Sequence, residues 1–315
     1  MTTTLQTIEA PAVAVVNPFS AATKADWLAF CDVQKVTQQT YDKAIENFAA
    51  FLKINDISAP QREDIISYRE YLLANGYKVS SCRLYLTIVK KFFRWLASKL
   101  IYPNVADGVK LPAMPQGSHA RDALTLEEAK ATISSFTGKD EKTLRDKCIM
   151  SLMLSCGLRS CEVVRLDVGD LEKRRGQWFI KVHGKARAGK TDSVKISSAW
   201  KKLLDEYLSV RPKGKKNSPL FISTAMRNFG QRLQTQTVSR LAKKTFAKIG
   251  IESERITCHS CRHTAATVAL QAGVSLRHVQ KFLRHRSAVT TEIYLHDLDA
   301  FNNPAVNQIS NLLFS

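Results

Sequence analysis

A segment without helical or strand periodicity divides this chain and limits each part to a domain of its own. Residues 111–119 read Leu-Pro-Ala-Met-Pro-Gln-Gly-Ser-His. Proline removes a backbone donor and disfavours the helical conformation of the residue before it, so no regular helix crosses this segment. At 315 residues, the chain is long enough for a domain on each side. We predict a helical domain over 21–110, a linker over 111–120 and a larger domain over 121–300.

The two ends of the chain are predicted separately. Residues 1–20 are rich in Thr, Ala, Val and Pro without a helical period, so we expect a flexible arm. Residues 301–315 contain an apolar stripe at Val306, Ile309 and Leu313, spaced as on one face of a helix. This tail either folds back on its own domain or docks on a neighbouring copy of the chain, and we favour docking.

The smaller domain has the apolar periodicity of helices. One helix is predicted from Thr37, and a second over 65–73 that stops at Asn75-Gly76, because glycine there ends a helix. A third begins near Ser80. Its apolar positions, each four residues apart, are Leu84, Ile88, Phe92 and Leu96.

The charge of the chain is strongly one-sided. Lys and Arg number 47 against 28 Asp and Glu, a net charge of +19, which favours a polyanionic partner: nucleic acid or an acidic membrane surface. No run of about 18 apolar residues exists, so we expect no membrane span. Arg83, Lys90 and Arg94 share a face of the third helix. That face is either simply solvated or follows a DNA backbone.

The larger domain is predicted to be mainly helical with a small antiparallel sheet. It opens on a capping-box pattern, Thr125 with Glu128, and a later helix over 143–155 ends at Gly157. Two β-like runs, 178–182 and 193–196, flank a basic loop and indicate a hairpin. Further helices are predicted over 199–209, 237–249, 263–271, 275–283 and 290–295.

Several residues in this domain suit chemistry on a phosphodiester. Arg159 is followed by Glu162 one helical turn later, and Arg262 follows His259 at the same spacing. Arginine's planar fork matches phosphate oxygens, and histidine moves protons near neutral pH. Tyr294 lies nine residues after His285, and a tyrosine can form a covalent intermediate.

These motifs, in this order, resemble the tyrosine recombinases, or phage integrases. The segment 156–162, Cys-Gly-Leu-Arg-Ser-Cys-Glu, resembles the first arginine box of that family. Gly184-Lys185 resembles its hairpin lysine, 259–263 its His-x-x-Arg box, and 283–285 with Tyr294 its last box. The resemblance covers roughly 121–296 and extends loosely to the helical 21–110, which is similar to the core-binding domain of the family.

The resemblance implies a role for each matching residue. Tyr294 attacks a DNA phosphate and forms a 3′-phosphotyrosyl bond, so rejoining needs no ATP, metal or other cofactor. Arg159 and Arg262 hold the non-bridging oxygens, and Glu162 orients Arg159. Lys185 protonates the leaving 5′-oxygen. His259 acts as an acid or base, and His285 hydrogen-bonds a phosphate oxygen.

The resemblance also implies an assembly. The two domains are expected to close round duplex DNA as a C-shaped clamp. The expected DNA carries an inverted-repeat core site. Four protomers, identical or including a paralogue, exchange strands through a Holliday junction. The expected location is the cytoplasm, at the nucleoid, with no membrane partner.

Two positions depart from the family pattern. Arg284 replaces the glycine of Leu-Gly-His, and if its backbone is left-handed, arginine there costs on the order of 1 kcal/mol. The hairpin loop is long after Lys185, so Lys190 competes for the lysine role, and we favour Lys185. Lys190 and Arg187 in this loop are also candidate DNA contacts.

The sequence also allows other functions. Residues 269–279 resemble a helix-turn-helix with Gly273 in the turn and Ser275 capping the second helix, which allows a DNA-binding regulator without chemistry. A type IB topoisomerase-like nicking and closing enzyme is a third possibility. Cys258 and Cys261 alone are too few for a closed zinc site, so we predict no metal. An odd cysteine count of seven fits a reducing compartment.

Overall fold

The computed structural model describes residues 18–114, 122–183, 189–284 and 305–314. The chain divides into two compact units between Ser118 and His119. In the described ranges the elements are helices apart from one small antiparallel sheet. The predicted fold class, mainly helical with a small antiparallel sheet, is therefore confirmed.

The N-terminal unit is helical throughout its described part. Its helices begin and end near the predicted signals: the third stops at Asn75, and Gly76 has a positive φ of 74°. A helix that the apolar spacing did not reveal precedes the others. The helices are α1 (Ala21–Phe30), α2 (Lys35–Ile54), α3 (Arg62–Ala74) and α4 (Val79–Ser98).

Aromatic rings fill the core of this unit. The ring centroids of Phe48 and Phe93 lie 5.9 Å apart, and Trp27 of α1 meets Phe92 at 5.1 Å. Phe19 packs on Phe48 at 5.8 Å. The last residues of the predicted flexible arm, around Phe19, therefore belong to this core.

One apolar position predicted on α4 is wrong. Ile88, Phe92 and Leu96 are buried, but Leu84 is 45% exposed. A spacing of four residues exceeds the 3.6-residue turn, so each step rotates the side chain by about 40° around the helix. After three steps Leu84 has left the core face, and the buried position near it is Leu86.

The C-terminal unit is built round α6. This helix buries residues on most of its circumference, including Cys148, Ile149 and Leu152, as expected of a central helix. It packs against α8 and α10. The helices of this unit are α5 (Leu126–Ser134), α6 (Glu141–Cys156), α7 (Ser160–Val164), α8 (Ser198–Val210), α9 (Thr235–Lys248), α10 (Ser260–Gln271), α11 (Leu276–Leu283) and the C-terminal helix (Ala305–Phe314).

The sheet has three antiparallel strands in the order β1 (Leu171–Arg174), β2 (Gln177–Val182) and β3 (Asp192–Ile196). The hairpin of β2 and β3 was predicted, but β1 was missed. Its sequence, Leu-Glu-Lys-Arg, is charged and does not alternate, as suits a short edge strand. The turn from β1 to β2 has positive φ at Arg175 and Gly176, 47° and 78°, which a tight hairpin of this handedness requires.

Local end signals of the C-terminal unit are confirmed. The capping box of Thr125 and Glu128 starts α5, with both reciprocal hydrogen bonds present. Gly157 follows α6 with φ of 59°, in the left-handed region. No helix in the described ranges is both long and apolar enough to cross a membrane.

Candidate active site

Arg159 is oriented by Glu162. Arg159 is the N-cap of the short helix α7, and Glu162 is its third residue. One carboxylate oxygen of Glu162, Oε2, accepts the backbone N–H of Arg159 at 2.8 Å, and Oε1 accepts from its guanidinium at 2.9 Å. Glu162 is 1% exposed, whereas the Arg159 side chain is 21% exposed. The buried carboxylate thus holds a cation whose remaining donors are open to a ligand.

Arg262 joins two of the sequence boxes. Its guanidinium donates to the carbonyl of Gly157 at 2.6 Å and also to the carbonyl of Leu283. The Arg262 side chain is buried, and these carbonyls end α6 and α11. Arg262 therefore links the backbone at Gly157, two residues before Arg159, to the last turn of α11.

Gly157 allows this close packing. A Cβ at Gly157 would lie 2.8 Å from the Leu283 side chain, a distance at which something must shift. The left-handed backbone at Gly157 also favours glycine. The short distance to Leu283 and the left-handed backbone both favour glycine at this position. Because residue 157 is glycine, the first arginine box can pack directly against the end of α11.

His259 is presented by a tight turn at the start of α10. The backbone N–H of Thr257 donates to Ser260 Oγ at 2.9 Å, and the N–H of Ser260 donates to the Thr257 carbonyl at 2.8 Å. His259 lies between these residues and its side chain is exposed. Thr264 fixes α10 further by accepting the N–H of Leu124 at 2.8 Å.

Arg284 adds a third arginine to the site. Its backbone is left-handed, with φ of 58° and ψ of 39°, as its place in the last box suggested. Its guanidinium donates to Glu162 Oε2 at 2.9 Å and to the Phe282 carbonyl at 2.9 Å. The Glu162 carboxylate is therefore shared between Arg159 and Arg284.

The electrostatics of the site favour a charged Glu162. Burial acts to raise the pKa of the Glu162 carboxyl, but Arg284, the Arg159 N–H and the charges of Arg159 and Arg262 together hold it below its ordinary value. A carboxylate that is desolvated but compensated in this way stays ionised at neutral pH. All three arginines consequently act on one buried anion.

Lys190 has partners that its sequence position did not suggest. Its Nζ lies 2.5 Å from Asp167 Oδ2 and 2.5 Å from Asp170 Oδ2. Arg232 binds the other oxygen of Asp167 at 2.5 Å. Two carboxylates take two of the three ammonium donors of Lys190 and offset its charge, which weakens Lys190 as a phosphate contact and favours Lys185 for the lysine role.

Two of the basic residues predicted along α4 hold residues 109–112, the segment that leads into the linker. Arg83 donates to the Pro112 carbonyl at 2.5 Å, and Lys90 donates to the Val109 carbonyl at 2.7 Å. Arg69 of α3 joins them by donating to the Lys110 carbonyl at 3.1 Å. Arg94 is exposed. Arg83 and Lys90 thus have an intramolecular role that their shared helix face did not indicate.

Four predicted site residues lie outside the described residues. They are Lys185, Arg187, His285 and Tyr294. The structure brings Arg159, Glu162 and Arg262 together and presents His259 at the start of the helix that bears Arg262.

Cys258 and Cys261, which flank His259 in sequence, are both buried. Cys258 lies 3.9 Å from the sulfur of Met153, and burial raises the pKa of the Cys261 thiol. Within the described ranges no group of three His, Cys, Asp or Glu residues has the arrangement of a metal site.

The predicted helix-turn-helix exists but belongs to the arginine site. α10 and α11 are joined through Gly273, whose φ is 81°, and Ser275 is the N-cap of α11. The Ser275 hydroxyl contacts the His278 ring at 2.8 Å and makes no capping bond to a backbone amide. Since α10 bears Arg262 and α11 ends at Arg284, a non-catalytic regulator is not favoured.

Comparison with known proteins identifies the family of both units. Residues 123–300, more than half of the chain, match the phage integrase family, and residues 27–99 match the N-terminal SAM-like domain of phage integrases. Tyrosine recombinase XerC of Thermodesulfovibrio yellowstonii is 32% identical over 275 residues, which is 82% of this chain and 85% of that protein.

A second relative and a solved structure are also similar to this chain. Tyrosine recombinase XerC of Caldanaerobacter subterraneus subsp. tengcongensis is 35% identical over 188 residues, which is 59% of this chain and 50% of that protein. In fold, the chain is similar to a crystal structure of XerH site-specific recombinase bound to palindromic difH substrate in a post-cleavage complex. The TM-score is 0.72 at 18% identity, covering 94% of this chain and 85% of that one.

Proposed function

Because the chain belongs to the phage integrase family, we propose that it is a site-specific DNA recombinase. It cleaves and rejoins duplex DNA through a 3′-phosphotyrosine and exchanges strands through a Holliday junction. The observation that supports this most directly is the joining of the two arginine boxes through the Gly157 carbonyl, beside the buried Glu162. Arg159 and Arg262 are held there by Glu162 and by the Gly157 carbonyl.

The two arginines stabilise the negative charge that develops on the scissile phosphate during the reaction. Attack on the phosphorus concentrates negative charge on the non-bridging oxygens, and donors already in place stabilise it without reorganisation. Glu162 accepts hydrogen bonds from the backbone N–H of Arg159 and from one guanidinium nitrogen, Nη1. The other guanidinium donors of Arg159 are therefore open to a phosphate. Arg262 acts from α10, where its two carbonyl contacts fix the direction of its fork.

Tyr294 is the proposed nucleophile. Its phenolic oxygen forms a bond to phosphorus as the bond from phosphorus to the 5′-oxygen breaks, and the leaving oxygen takes a proton from Lys185. His259 takes the phenolic proton of Tyr294 as general base and returns it on rejoining, and His285 hydrogen-bonds a phosphate oxygen. In rejoining, the free 5′-hydroxyl attacks the phosphotyrosine and releases Tyr294. The bond energy is conserved in the covalent link, so the cycle needs no ATP and no cofactor.

The proposed substrate is duplex DNA with an inverted-repeat core site. The net charge of +19 supports a partner that carries phosphates. Arg94 and Arg187 remain candidate phosphate contacts, whereas we assign Arg83 and Lys90 to holding residues 109–112. A closed clamp around the duplex remains a prediction. We also propose that the protein acts in the cytoplasm, at the nucleoid, where this substrate is.

Recombination is proposed to require four protomers, identical or including a paralogue, joined through the C-terminal helix. Ile309, Leu312 and Leu313 on this helix are each more than half exposed, so they are not buried within their own chain. An apolar groove of about 470 Å³ between α5, α6, α10 and α11, lined by residues such as Val268 and Phe282, is a suitable acceptor on a neighbouring protomer.

Removal of this helix is expected to separate binding from exchange. A chain that stops at Asn303 should bind one half-site normally but lose the four-protomer complex and strand exchange, because its apolar contacts with the neighbour are gone. Leu312→Asp should have the same effect, whereas Asn311→Asp, an equally exposed change on the same helix, should not. Gel-shift and recombination assays measure the two steps. Full recombination by the shortened chain would contradict the docking proposal.

The reaction itself is tested by covalent capture. A cognate site is first selected from random duplex DNA, and a nicked duplex carrying it is incubated with the protein in EDTA without ATP. A covalent protein–DNA band on a denaturing gel is the expected result, and recombination of two sites should follow. Binding to the site without any covalent band would support the regulator. A covalent band with relaxation but no exchange would support a nicking and closing enzyme, which the recombinase relatives do not favour.

A further inference from the structure

Arg284 occupies a left-handed backbone conformation that is uncommon for residues other than glycine. Among the described residues, four others that are not glycine have positive φ: Asp32, Asp56, Leu100 and Arg175. All four are exposed. The Arg284 side chain is only 9% exposed. Since a left-handed backbone is unfavourable for arginine, a buried arginine here requires compensating contacts.

Those contacts lead to the residue that orients Arg159. Arg284 Nη2 lies 2.9 Å from Glu162 Oε2, and Nη1 donates to the Phe282 carbonyl at 2.9 Å. The Nε atom is buried without a hydrogen-bond partner in the described structure. The guanidinium therefore points at Glu162 even though this leaves its Nε–H donor without a hydrogen bond. Buried polar groups without a partner are rare, so the contact with Glu162 has to compensate for this one.

The contact determines how Glu162 can act. Arg159 alone already bonds both oxygens of Glu162, through its backbone N–H at Oε2 and its guanidinium at Oε1. Arg284 adds a contact to Oε2 from the end of another helix, α11, and so further restrains the carboxylate and the guanidinium that it orients. Here Oε2 is held by Arg284 and by the Arg159 backbone N–H, so Oε1 stays directed at Arg159 Nη1. Arg284 also adds a charge: three arginines against one glutamate leave the cluster with two net positive charges, and without Arg284 it would have one.

We propose that Arg284 is a positioning residue for DNA cleavage, a role that rests on the function proposed above. Through Glu162 it directs Arg159 at the scissile phosphate. Its left-handed backbone and its bond to the Phe282 carbonyl hold it at the end of α11, where its guanidinium reaches Glu162. Arg284 acts through these neighbours and does not itself contact the reacting atoms.

Arg284→Gly is the informative variant. Glycine relieves the strained backbone, so the change preserves the turn while it removes the contact with Glu162. The matched control is Arg175→Gly, which replaces an arginine of positive φ by glycine with the same loss of charge. Arg175 is exposed, in the turn at the opposite end of β2 from the basic loop.

Affinity and cleavage are then measured separately. Half-site affinity of Arg284→Gly should lie within about threefold of the control, because each variant loses one positive charge. At saturating protein, single-turnover cleavage of the nicked duplex should fall by about tenfold or more, as expected when an interaction used only in the transition state is weakened. Arg284→Lys, which keeps the charge, should recover part of this rate.

A double substitution tests whether the effect passes through Glu162. Glu162→Gln should also slow cleavage, and Arg284→Gly in that background should slow it no further, since the shared partner is already gone. Thermal unfolding of each variant confirms that the compared proteins are folded.

Three results would overturn this role. Arg284→Gly cleaving at the unchanged rate would mean that the arginine is only tolerated. A loss confined to half-site affinity would make Arg284 a DNA contact. Additive losses in the double variant would remove Glu162 from the explanation. If the unchanged protein forms no covalent complex at all, the proposed function fails, and this role fails with it.

Discussion

Tyr294→Phe is expected to bind the half-site normally and to form no covalent DNA complex. The change removes only the phenolic oxygen that we propose as the nucleophile and keeps the aromatic ring. Loss of a nucleophile lowers the rate by at least about a thousandfold in enzymes whose catalytic groups act together. On a nicked duplex, a denaturing gel should show a covalent band with the unchanged protein and none with the variant.

The matched control for this experiment is Tyr85→Phe. Tyr85 lies on α4 in the N-terminal unit, and its ring meets Tyr77 at 5.9 Å. This substitution removes the same oxygen from a different tyrosine and should leave capture unchanged. If Tyr294→Phe is still captured, the reaction class stands but another residue is the nucleophile.

Arg159→Ala is expected to lower cleavage by about 10³- to 10⁵-fold, the range found when an arginine that stabilises a transferring phosphoryl group is removed. The fold should be affected little. Glu162 loses one charged partner but keeps Arg284, so no buried charge is left alone. We expect a change of about 1 kcal/mol in the free energy of unfolding.

Arg262→Ala provides the contrast. It removes a buried guanidinium that bonds the carbonyls of Gly157 and Leu283, and each buried group left unsatisfied costs about 1–3 kcal/mol. This variant should therefore lose both cleavage and stability, whereas Arg159→Ala loses mainly cleavage. Urea unfolding and single-turnover cleavage measure the two effects separately.

Arg165→Ala is the control for both substitutions. Arg165 follows α7, the same short helix, and is exposed. It should match the unchanged protein in both assays. A loss of less than about tenfold for Arg159→Ala, or a destabilisation equal to that of Arg262→Ala, would contradict the separation of roles.

Local features of the fold were predictable because their causes lie within a few residues. The capping box at Thr125 and the left-handed end of α6 at Gly157 depend on neighbours in sequence. Leu84 shows the limit of such patterns, since a spacing of four drifts off a face that turns every 3.6 residues. The charged strand β1 exists because β2 supplies its hydrogen bonds, which no local pattern reveals.

The candidate site likewise contains one contact that the sequence predicted and others that it did not. The spacing of Arg159 and Glu162 predicted their contact, although the pair forms as a capping box, with Arg159 at the N-cap of α7 and Glu162 three residues later. Lys190 looked like a free loop lysine, but Asp167 and Asp170 hold it from 23 and 20 residues away. Arg284 looked like a defect in the last box, whereas it is a partner of Glu162.

The amino-acid sequence alone was enough to identify the groups this protein has for its chemistry and most of the stretches that form its helices, with α1 as an exception. Both follow from residue type and short-range periodicity, which one chain displays directly. The hydrogen bond between Arg284 and Glu162, 122 residues apart, arises from tertiary packing. That contact exists because Gly157 lets Leu283 approach and Arg262 binds both carbonyls, so its cause is the packing of α6 against the end of α11.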